Sequence, residues 1–401
     1  MRILMVLSTK KYPPDRRVER EAQALIEGGH EVLLIARRGP KQARVEIVDG
    51  VRVVRTFLPF QNVKAVADLI YFTIQRFAIL GTLVRVCRQH RVDVIHVHDL
   101  PYAFASIICA KLLGISSVFD MHEHYTEMLR MGFQTKSYRK LKFFGVILLE
   151  LLKIEERLAC RWASRVIVVD PEHRSRIVSL GTLSKNIAII TNTEDFEYFS
   201  SLPVLEGVLS EYNGYFVLLY TGGFSAHRGL KTTIDAMPRI LETVPNTHLV
   251  LVGDGEERKE LEAVVQERGL ESHVTFTGFV PFESLPTYIR ACDVGLIPHI
   301  STPHIETTMP NKIFQFMTLG KPVVVSSTRP MMRVVHEVRC GLIFEESNPV
   351  SLANNILKMQ DPELRNRLGE NGKVAASGQY NWQCTKQALL ELYKSLGSHD
   401  S

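Results

Sequence analysis

Short apolar segments alternate along the chain with longer segments in which apolar residues recur every three or four positions. A run of four to six apolar residues predicts a buried strand, and the longer period predicts a helix with one buried face. Strands that alternate with helices favour a parallel sheet covered by helices on both faces. In the first half of the chain the predicted strands are Ile3–Leu7, Glu31–Ala36, Val51–Arg55, Val94–Val97, Ser117–Phe119, Val166–Val169 and Ile187–Ile190.

The same alternation restarts near residue 215, after a polar stretch over residues 191–214 that is typical of a linker. We therefore predict an α/β protein with two Rossmann-like domains, at residues 1–195 and 196–380, and a final helix at 381–401 that could pack back on the N-terminal domain. The predicted strands of the second half are Tyr215–Tyr220, His248–Val252, Val274–Thr277, Val294–Ile297, Pro322–Val325 and Leu342–Phe344.

Length and composition agree with this division, because 401 residues exceed what one core usually supports. The apolar content of 45% and charged content of 23% are those of a soluble globular protein. The six cysteines stand singly, without the spacing of a zinc site or a disulfide framework, so we expect a reducing cytoplasm. No apolar run is long enough for a signal peptide or a membrane span.

Charge is distributed unevenly: residues 1–200 carry 30 lysines and arginines against 21 acidic residues, a net charge of +9 within a total of +5. Such an excess suits an anionic ligand or an anionic membrane surface, although much of it could be ordinary solvated surface. We expect no nucleic-acid partner.

In doubly wound sheets, ligands bind beyond the carboxyl ends of the strands, where polar residues and glycines follow apolar runs. One such place is LYTGGFSAHRGLK, residues 219–231, in which Gly222 and Gly223 follow a strand and Arg228 precedes a helix. The spacing matches no standard nucleotide motif. Bare backbone amides and one cation could hold a phosphate there, or the glycines could simply form a turn.

A second place is TTMPNKIFQFMTLGKPVVVSS, residues 307–327, where Pro310 predicts the first turn of a helix that runs to about Leu319. Free amides at its N-terminus, with Asn311 and Lys312 beside them, predict an anion site. Gln315 lies one turn further and could reach a ribose hydroxyl. In the alternative interpretation, Lys312 is an exposed cation and Gln315 is a surface amide.

The order of these segments, with VTFTGFVPFESLPTYIRACDVGLIP between them, resembles the C-terminal domain of the GT-B glycosyltransferases, in particular the large retaining family 4. PPDRRVEREAQALIEGGHEV and VIHVHDLPYAFASIICAKLLGISSVFDMHE resemble that family's N-terminal motifs. The resemblance implies two Rossmann-like domains that face each other across a cleft. It also implies transfer of a sugar, with retention at C1, from a nucleoside-diphosphate sugar, a UDP-sugar above all, to a glycan or glycolipid hydroxyl.

Carried over by position, the resemblance implies donor-binding roles in the second half. Arg228 takes the place of the family's diphosphate-binding lysine, Gly223 replaces its usual arginine, and Lys312 could supply the missing charge. The family's pair of glutamates falls on Thr307 and Gln315, with Glu306 one residue from the first position. The backbone of Phe279 and Val280 corresponds to the part that contacts the nucleotide base.

In the first half, His122 matches the histidine that acts at the donor sugar, and Asp15 and Arg17 match the polar pair after the first strand. His98, Asp99 and Glu123 are predicted neighbours on the acceptor side. An isolated histidine is more often structural than catalytic. However, four histidines flank successive strand ends here: His96, His98, His122 and His124.

In the mechanism that the resemblance implies, Arg228, Lys312 and helix amides stabilise the departing diphosphate, so neither a metal ion nor another cofactor is needed. The chain contains no DxD motif, in agreement with that expectation. Two alternatives stay open. One is a nucleotide-sugar 2-epimerase of similar fold, and the other is a non-catalytic nucleotide-sugar-binding partner, which Gly223 and the absent glutamate pair would favour.

Between Glu127 and Glu150 the sequence contains five basic residues and no acidic one, and the apolar stretch FFGVILLELL follows the last of them. Basic and apolar groups side by side suit the headgroup region of an anionic bilayer. We expect a cytoplasmic protein that could bind the inner face of the membrane. A buried core helix with solvated lysines is the alternative. The basic residues are Arg130, Lys136, Arg139, Lys140 and Lys142.

Overall fold

The structure is a computed structural model that describes residues 1–39, 42–56, 76–133 and 142–397. The chain divides into two compact units. Unit 1 consists of Met1–Thr191 together with the chain from Lys386 onward, and unit 2 consists of Asn192–Thr385. Each unit is built around its own sheet, as the two rounds of alternating strands and helices predict.

Among the described residues, unit 1 contains a sheet of eight strands in the order β3-β4-β2-β1-β5-β6-β7-β8. All neighbours are parallel except β3 and β4. The central strands are buried on both faces because helices cover both faces. The strands are β1 Arg2–Lys11, β2 Glu31–Arg37, β3 Val45–Val48, β4 Val51–Thr56, β5 Val94–His98, β6 Ser116–Met121, β7 Arg165–Val168 and β8 Ile187–Ile189.

The helices of unit 1 pack their apolar faces on this sheet, and Phe119, Leu83 and Ile107 lie fully buried in the shared core. They are α1 Arg16–Glu27, α2 Arg76–His90, α3 Leu100–Leu113, α4 Tyr125–Phe133, α5 Lys142–Trp162 and α6 Pro171–Ser179. Within the described parts of both units, no helix combines the length and the apolar character needed to cross a bilayer.

Unit 2 contains, in its described residues, a six-stranded parallel sheet in the order β11-β10-β9-β12-β13-β14. Its strands are β9 Phe216–Thr221, β10 Thr247–Val252, β11 Val274–Gly278, β12 Val294–Ile297, β13 Val323–Ser326 and β14 Gly341–Phe344. Its helices are α7 Phe196–Ser201, α8 Glu206–Glu211, α9 Leu230–Thr243, α10 Arg258–Glu267, α11 Leu285–Ala291, α12 Lys312–Thr318, α13 Arg329–Val338, α14 Pro349–Lys358 and α15 Pro362–Ser377.

The strand order within each sheet places β1 beside β5 and β9 beside β12. At these positions the chain changes the direction in which it adds strands, and ligand sites in open α/β sheets form beside such strands. The segments after β5, β6, β9 and β12 are therefore the ones whose side chains matter for function.

The last helix, α16 Trp382–Gly397, begins in unit 2 and ends in unit 1. In unit 2 the backbone amide of Trp382 donates to the carbonyl oxygen of Glu194 at 2.9 Å. In unit 1 the hydroxyl of Tyr393 lies 2.8 Å from Nδ1 of His96. The final helix thus contributes a side chain to the core of unit 1.

Two features of the fold differ from the sequence prediction. Strand β3 was not predicted, because it is a four-residue antiparallel edge strand whose apolar residues Val45 and Ile47 are 53% and 70% exposed. The predicted linker at residues 191–214 contains two short helices, α7 and α8. Each helix has only six residues, which is too short for apolar periodicity to indicate a helix.

Candidate functional site

The turn that follows β9 is shaped by Gly222, which has φ of +128°. A side chain at this position would bring its Cβ within 3.0 Å of Nζ of Lys312, so glycine leaves room for the lysine. The amide of Gly222 donates to the carbonyl oxygen of Val252 at 2.9 Å. The amide of Gly222 is therefore engaged within the sheet and the turn leaves space for a cation, while the predicted contact of the Gly222–Gly223 turn with a diphosphate stays a prediction.

That cation lies at the start of α12, which begins at Lys312 rather than at Pro310. Pro310 precedes the helix, and its carbonyl oxygen accepts from the amide of Ile313 in a tight, 3₁₀-type turn. The carbonyl oxygen of Asn311 accepts from the amide of Gln315 at 3.2 Å. Because the helix has only seven residues and its early amides are bonded internally, the site depends on side-chain charge more than on helix amides.

Lys312 is buried, which contradicts the alternative that it is an exposed cation. Its Nζ has no hydrogen-bond partner and lies 3.7 Å from the centre of the Tyr220 ring. Burial, and then the charge of Arg228, lower the pKa of Lys312 well below its usual value. The face of Tyr220 offers some attraction, but the ammonium group is still held where a positive charge is unfavourable.

Arg228 reaches the same region from a turn, Ala226–Arg228, that leads into α9. Gly229 ends this turn with φ of +67°, and a Cβ there would lie 1.9 Å from the carbonyl oxygen of Pro298. The close approach of the two segments brings Nη1 of Arg228 to 3.2 Å from Nε2 of His299. Glycine at 229 therefore allows the guanidinium group to reach the end of β12.

Three histidines complete a group of basic side chains that we call the cation cluster: Arg228, Lys312, His227, His299 and His304. Burial, followed by the charges of Arg228 and Lys312, lowers the pKa of His227 to about 4. Burial and then Lys312 lower the pKa of His299 well below its usual value. The ring of His304 stands perpendicular to that of His227, with centres 5.8 Å apart. An anion bound here would relieve the repulsion that adds to the effect of burial on these pKa values.

In unit 1, His122 directly follows β6 and lies between two carboxylates. Its Nδ1 is 3.7 Å from Oδ2 of Asp99 and its Nε2 is 3.3 Å from Oδ2 of Asp120. Burial alone would lower the pKa of His122, but Asp99 and Asp120 outweigh it and raise the pKa to about 9. His122 is therefore protonated at neutral pH, with 12% of its side chain exposed. Asp99 has φ of +62°, a strained conformation that is common at functional sites.

Arg17 holds the carboxylates behind His122. Its Nη2 is 3.0 Å from Oδ1 of Asp120, and its Nε is 3.0 Å from Oε1 of Glu21. Burial opposes ionisation of Asp120, but Arg17 and His122 hold the pKa of this carboxyl well below its usual range. Glu21 differs, because burial outweighs Arg17 and raises its pKa to about 8. The network thus combines one charged and one neutral carboxyl group at neutral pH.

Two further histidines complete this network, and both are fully buried. Nδ1 of His98 lies 3.1 Å from Nε2 of His122, and the ring of His96 stacks on that of His98 with centres 4.3 Å apart. Burial, and then His96, lower the pKa of His98 to about 3. The protonated ring of His122 can donate to this neutral neighbour.

Of the other residues predicted for unit 1, Asp15 is the N-cap of α1 and accepts from the amide of Val18. Glu123 follows His122 and is partly buried. The structure adds Glu21, Asp120 and Tyr393 to the network. Two of these had a signal that could have selected them: Asp120 lies at a strand end, and Glu21 lies four residues after Arg17 on one helix face.

Comparison with known protein families identifies the family of the chain that contains these two sites. Residues 14–193 match the family model "Glycosyl transferase 4-like domain", and residues 205–375 match "Glycosyl transferases group 1". The two matches together span nearly the whole chain, in the order that these domains have in GT-B enzymes. The chain belongs to the group 1 glycosyltransferases. The resemblance and the fold class predicted from the sequence are confirmed.

Individual relatives agree with this assignment. The glycosyltransferase is 26% identical over 98% of its length to an uncharacterized glycosyltransferase of Methanocaldococcus jannaschii, and covers 98% of that protein. Its fold is similar to that of sucrose-phosphate synthase from Thermosynechococcus elongatus, with a TM-score of 0.78, 20% identity and full coverage of both chains. It is also similar to Anabaena HepE in complex with UDP-glucose, with a TM-score of 0.71, 20% identity, and coverage of 98% and 100%.

In the glycosyltransferase, the residues at the family's glutamate positions are already engaged. Gln315 is buried, which contradicts the alternative interpretation that it is a surface amide. Its Nε2 donates to Oε2 of Glu194 at 3.1 Å. A carboxylate oxygen of Glu306 lies 2.7 Å from Nε of Arg329. The hydroxyl of Thr307 donates to the carbonyl oxygen of Pro303 at 2.8 Å. A ribose contact by Gln315 would therefore use its carbonyl oxygen.

The remaining predicted donor residues lie at strand ends of unit 2. Phe279 directly follows β11 and is 79% exposed, while its neighbour Val280 is partly buried. The carbonyl oxygen of Gly223 accepts from the hydroxyl of Tyr220 at 2.9 Å. This contact fixes the Tyr220 ring below the Lys312 ammonium. The predicted contact of residues 279 and 280 with a nucleotide base stays a prediction.

Four side chains in the described part of the glycosyltransferase, Glu21, His96, His98 and Asp120, bring ligand-type atoms within 4.8 Å of one another. Arg17 already contacts both carboxyl groups. Arg17 and the protonated His122 already compensate the Asp120 carboxylate, and Glu21 is neutral, so a divalent cation would add two positive charges and force Glu21 to lose its proton, which is unfavourable. We therefore do not assign these residues as metal ligands.

The strained environment of Lys312 gives a prediction about stability. Replacing it with methionine, Lys312→Met, should raise the free energy of unfolding of the ligand-free protein by about 1 kcal/mol at pH 7, since the apolar chain stays buried without the charge. Because the pKa of Lys312 is lower in the folded than in the unfolded protein, the unfolded chain binds more protons up to about pH 10.5. The stability of the unmodified protein therefore rises with pH, and the stability gained by Lys312→Met should shrink.

The measurement is urea unfolding at pH 7 and pH 9. The matched control is Lys231→Met, since the Lys231 side chain is 58% exposed and paired with Asp235. A clear loss of stability in Lys312→Met, with no change in the control, would show that Lys312 is a structural residue.

Proposed function

We propose that this glycosyltransferase takes a sugar from a nucleoside-diphosphate sugar, with UDP as the nucleotide, and transfers it to a hydroxyl of a glycan or lipid-linked acceptor. The observation that carries the proposal is the cation cluster, in which a buried lysine without a hydrogen-bond partner lies beside an arginine. A diphosphate is an anion of suitable charge and size for such a group. The complex of the structural neighbour HepE with UDP-glucose supports the same ligand class.

The cation cluster suggests how the reaction is accelerated. As the bond between C1 and the phosphate oxygen breaks, negative charge grows on the diphosphate, and Lys312 and Arg228 are already in place to stabilise it. We propose retention at C1. The acceptor oxygen forms its bond on the face that the diphosphate leaves, and the diphosphate oxygen takes the proton of the acceptor hydroxyl.

His122 is proposed to act at the transferred sugar. It carries a positive charge that Asp99 and Asp120 compensate, and both ring nitrogens are protonated donors. Since Nε2–H donates to His98, Nδ1–H is the group that can donate to a sugar hydroxyl and orient the donor substrate without contributing to diphosphate affinity. The reaction is further proposed to be independent of metal ions, because the protein's own cations compensate the charge of the leaving group.

The experiment that tests this proposal begins with UDP and UDP-sugar binding by calorimetry. Each charge-assisted contact is worth about 1.5 to 3 kcal/mol, so Arg228→Ala and Lys312→Met should each weaken UDP binding by about tenfold or more. Lys231→Met is again the matched control and should bind UDP as the unmodified protein does. Equal affinity in all four proteins would remove the cation cluster from the donor site.

Transfer and donor hydrolysis are then measured with the UDP-sugar that binds, with and without EDTA. His122→Ala should lower turnover far more than it weakens UDP binding, and EDTA should have no effect. Strict dependence on an added divalent ion would contradict metal independence. If UDP-sugar binds but neither transfer nor hydrolysis occurs with any acceptor, a non-catalytic binding role is correct.

We further propose that the acceptor is encountered at an anionic membrane surface. The predicted basic residues 136–140 lie outside the described residues. Helix α5, which follows them, buries Leu148 and Leu152 but exposes a row of apolar side chains, so it is amphipathic rather than a fully buried core helix. The exposed residues are Val146, Ile147, Leu151 and Ile154.

Sedimentation with vesicles tests this surface. The protein should pellet with vesicles that contain anionic lipid, binding should weaken with added salt, and the double variant Ile147→Gln with Leu151→Gln should reduce it about tenfold. The control is Leu183→Gln, which changes a leucine elsewhere in unit 1 that is more exposed than Ile147 and Leu151. Protein that stays in the supernatant at low salt with anionic vesicles would indicate a soluble acceptor instead.

A further inference from the structure

Among the described residues of the last helix, α16, Tyr393 has a side-chain hydrogen bond to a histidine of unit 1. Its ring is fully buried, and burial, followed by Glu21 and Asp120, raises the pKa of the phenol well above its usual value. The phenol is therefore protonated at all relevant pH values. Its oxygen lies 2.8 Å from Nδ1 of His96.

This contact determines which nitrogen of His96 carries the proton. Nε2 of His96 lies 3.6 Å from Oδ2 of Asp120 and 3.9 Å from Oε2 of Glu21. A lone pair at Nε2 would face the ionised Asp120 oxygen, which is the nearer of the two, unfavourably, so Nε2 carries the hydrogen and Nδ1 is the acceptor. The Tyr393 hydroxyl then donates to Nδ1, which stabilises this tautomer of His96.

The orientation of His96 in turn affects Asp120. Oδ2 of Asp120 lies 3.6 Å from Nε2 of His96, 3.4 Å from Nδ1 of His98 and 3.3 Å from Nε2 of His122. The same carboxylate oxygen therefore faces three imidazoles, while Arg17 holds Oδ1. If the hydrogen of His96 moved to Nδ1, a lone pair would face this oxygen, and Asp120 would lose a favourable neighbour opposite His122.

We propose that Tyr393 is a positioning residue for His122, acting through the tautomer of His96 and the orientation of Asp120. The proposal rests on the proposed function, in which His122 acts at the transferred sugar. Packing alone does not account for a phenol here, because phenylalanine would fill the same buried volume without needing a hydrogen-bond partner. The helix has other contacts with unit 1, including the ion pair of Lys386 with Glu27.

The test is Tyr393→Phe in the full-length protein, with two readouts. In the ¹⁵N spectrum of histidine-labelled protein, the signals of His96 should no longer be those of the tautomer protonated at Nε2. The signals of His122 should shift as well. In the transfer assay, kcat should fall about tenfold while the KM for the UDP-sugar and the Kd for UDP stay unchanged.

Ser395→Ala is the matched control, since it removes a hydrogen bond between the same helix and Arg165 of unit 1 without touching His96. It should leave both readouts unchanged. If Tyr393→Phe does not fold, His96→Gln provides the same comparison, because it removes the Nδ1 acceptor and should lower kcat to the same extent.

Unchanged histidine spectra in Tyr393→Phe, or an equal loss of kcat in Tyr393→Phe and Ser395→Ala, would overturn the proposal. The spectra do not depend on turnover. Absence of transfer by the unmodified protein would therefore contradict the proposed function, while a changed His96 tautomer would still support the effect of Tyr393.

Discussion

The burial of a cation, Lys312, beside the guanidinium group of Arg228 is the constraint that the site in unit 2 must satisfy. Burial and the neighbouring guanidinium lower the pKa of Lys312, and burial and the same two cations lower the pKa values of His227 and His299. Several local features make this arrangement attainable. Gly222 leaves space for the ammonium, the Tyr220 ring lies under it, and Gly229 lets the Arg228 turn approach Pro298. A binding partner with negative charge would convert this unfavourable arrangement into a favourable one.

The electrostatics of unit 1 differ from those of unit 2, because the buried charges of unit 1 are compensated within the unit. Arg17 contacts Asp120 and Glu21, and His122 lies between Asp99 and Asp120. Such a network holds side chains in one geometry and has less to gain from an added ion. This contrast agrees with the division of roles that we propose, in which unit 2 binds the charged part of the donor and His122 orients the sugar.

The strand pattern could be predicted because buried parallel strands are continuous apolar runs, and only the exposed edge strand β3 lacked that signal. Lys312 and Arg228 could be selected as strand-end residues, but the burial of Lys312 depends on Tyr220, which lies in a strand 92 positions earlier. Likewise, the contact of His96 with Tyr393 joins residues nearly 300 positions apart. Such contacts follow from tertiary packing, which local patterns do not record.

The most direct measurement is the number of protons taken up when UDP binds, obtained by calorimetry at pH 8 in buffers of different ionisation enthalpy. An anion that binds at the cation cluster should raise the pKa of Lys312, so we expect net proton uptake, and markedly less uptake in Lys312→Met. UDP binding without net proton uptake, or with the same uptake in Lys312→Met, would contradict the account.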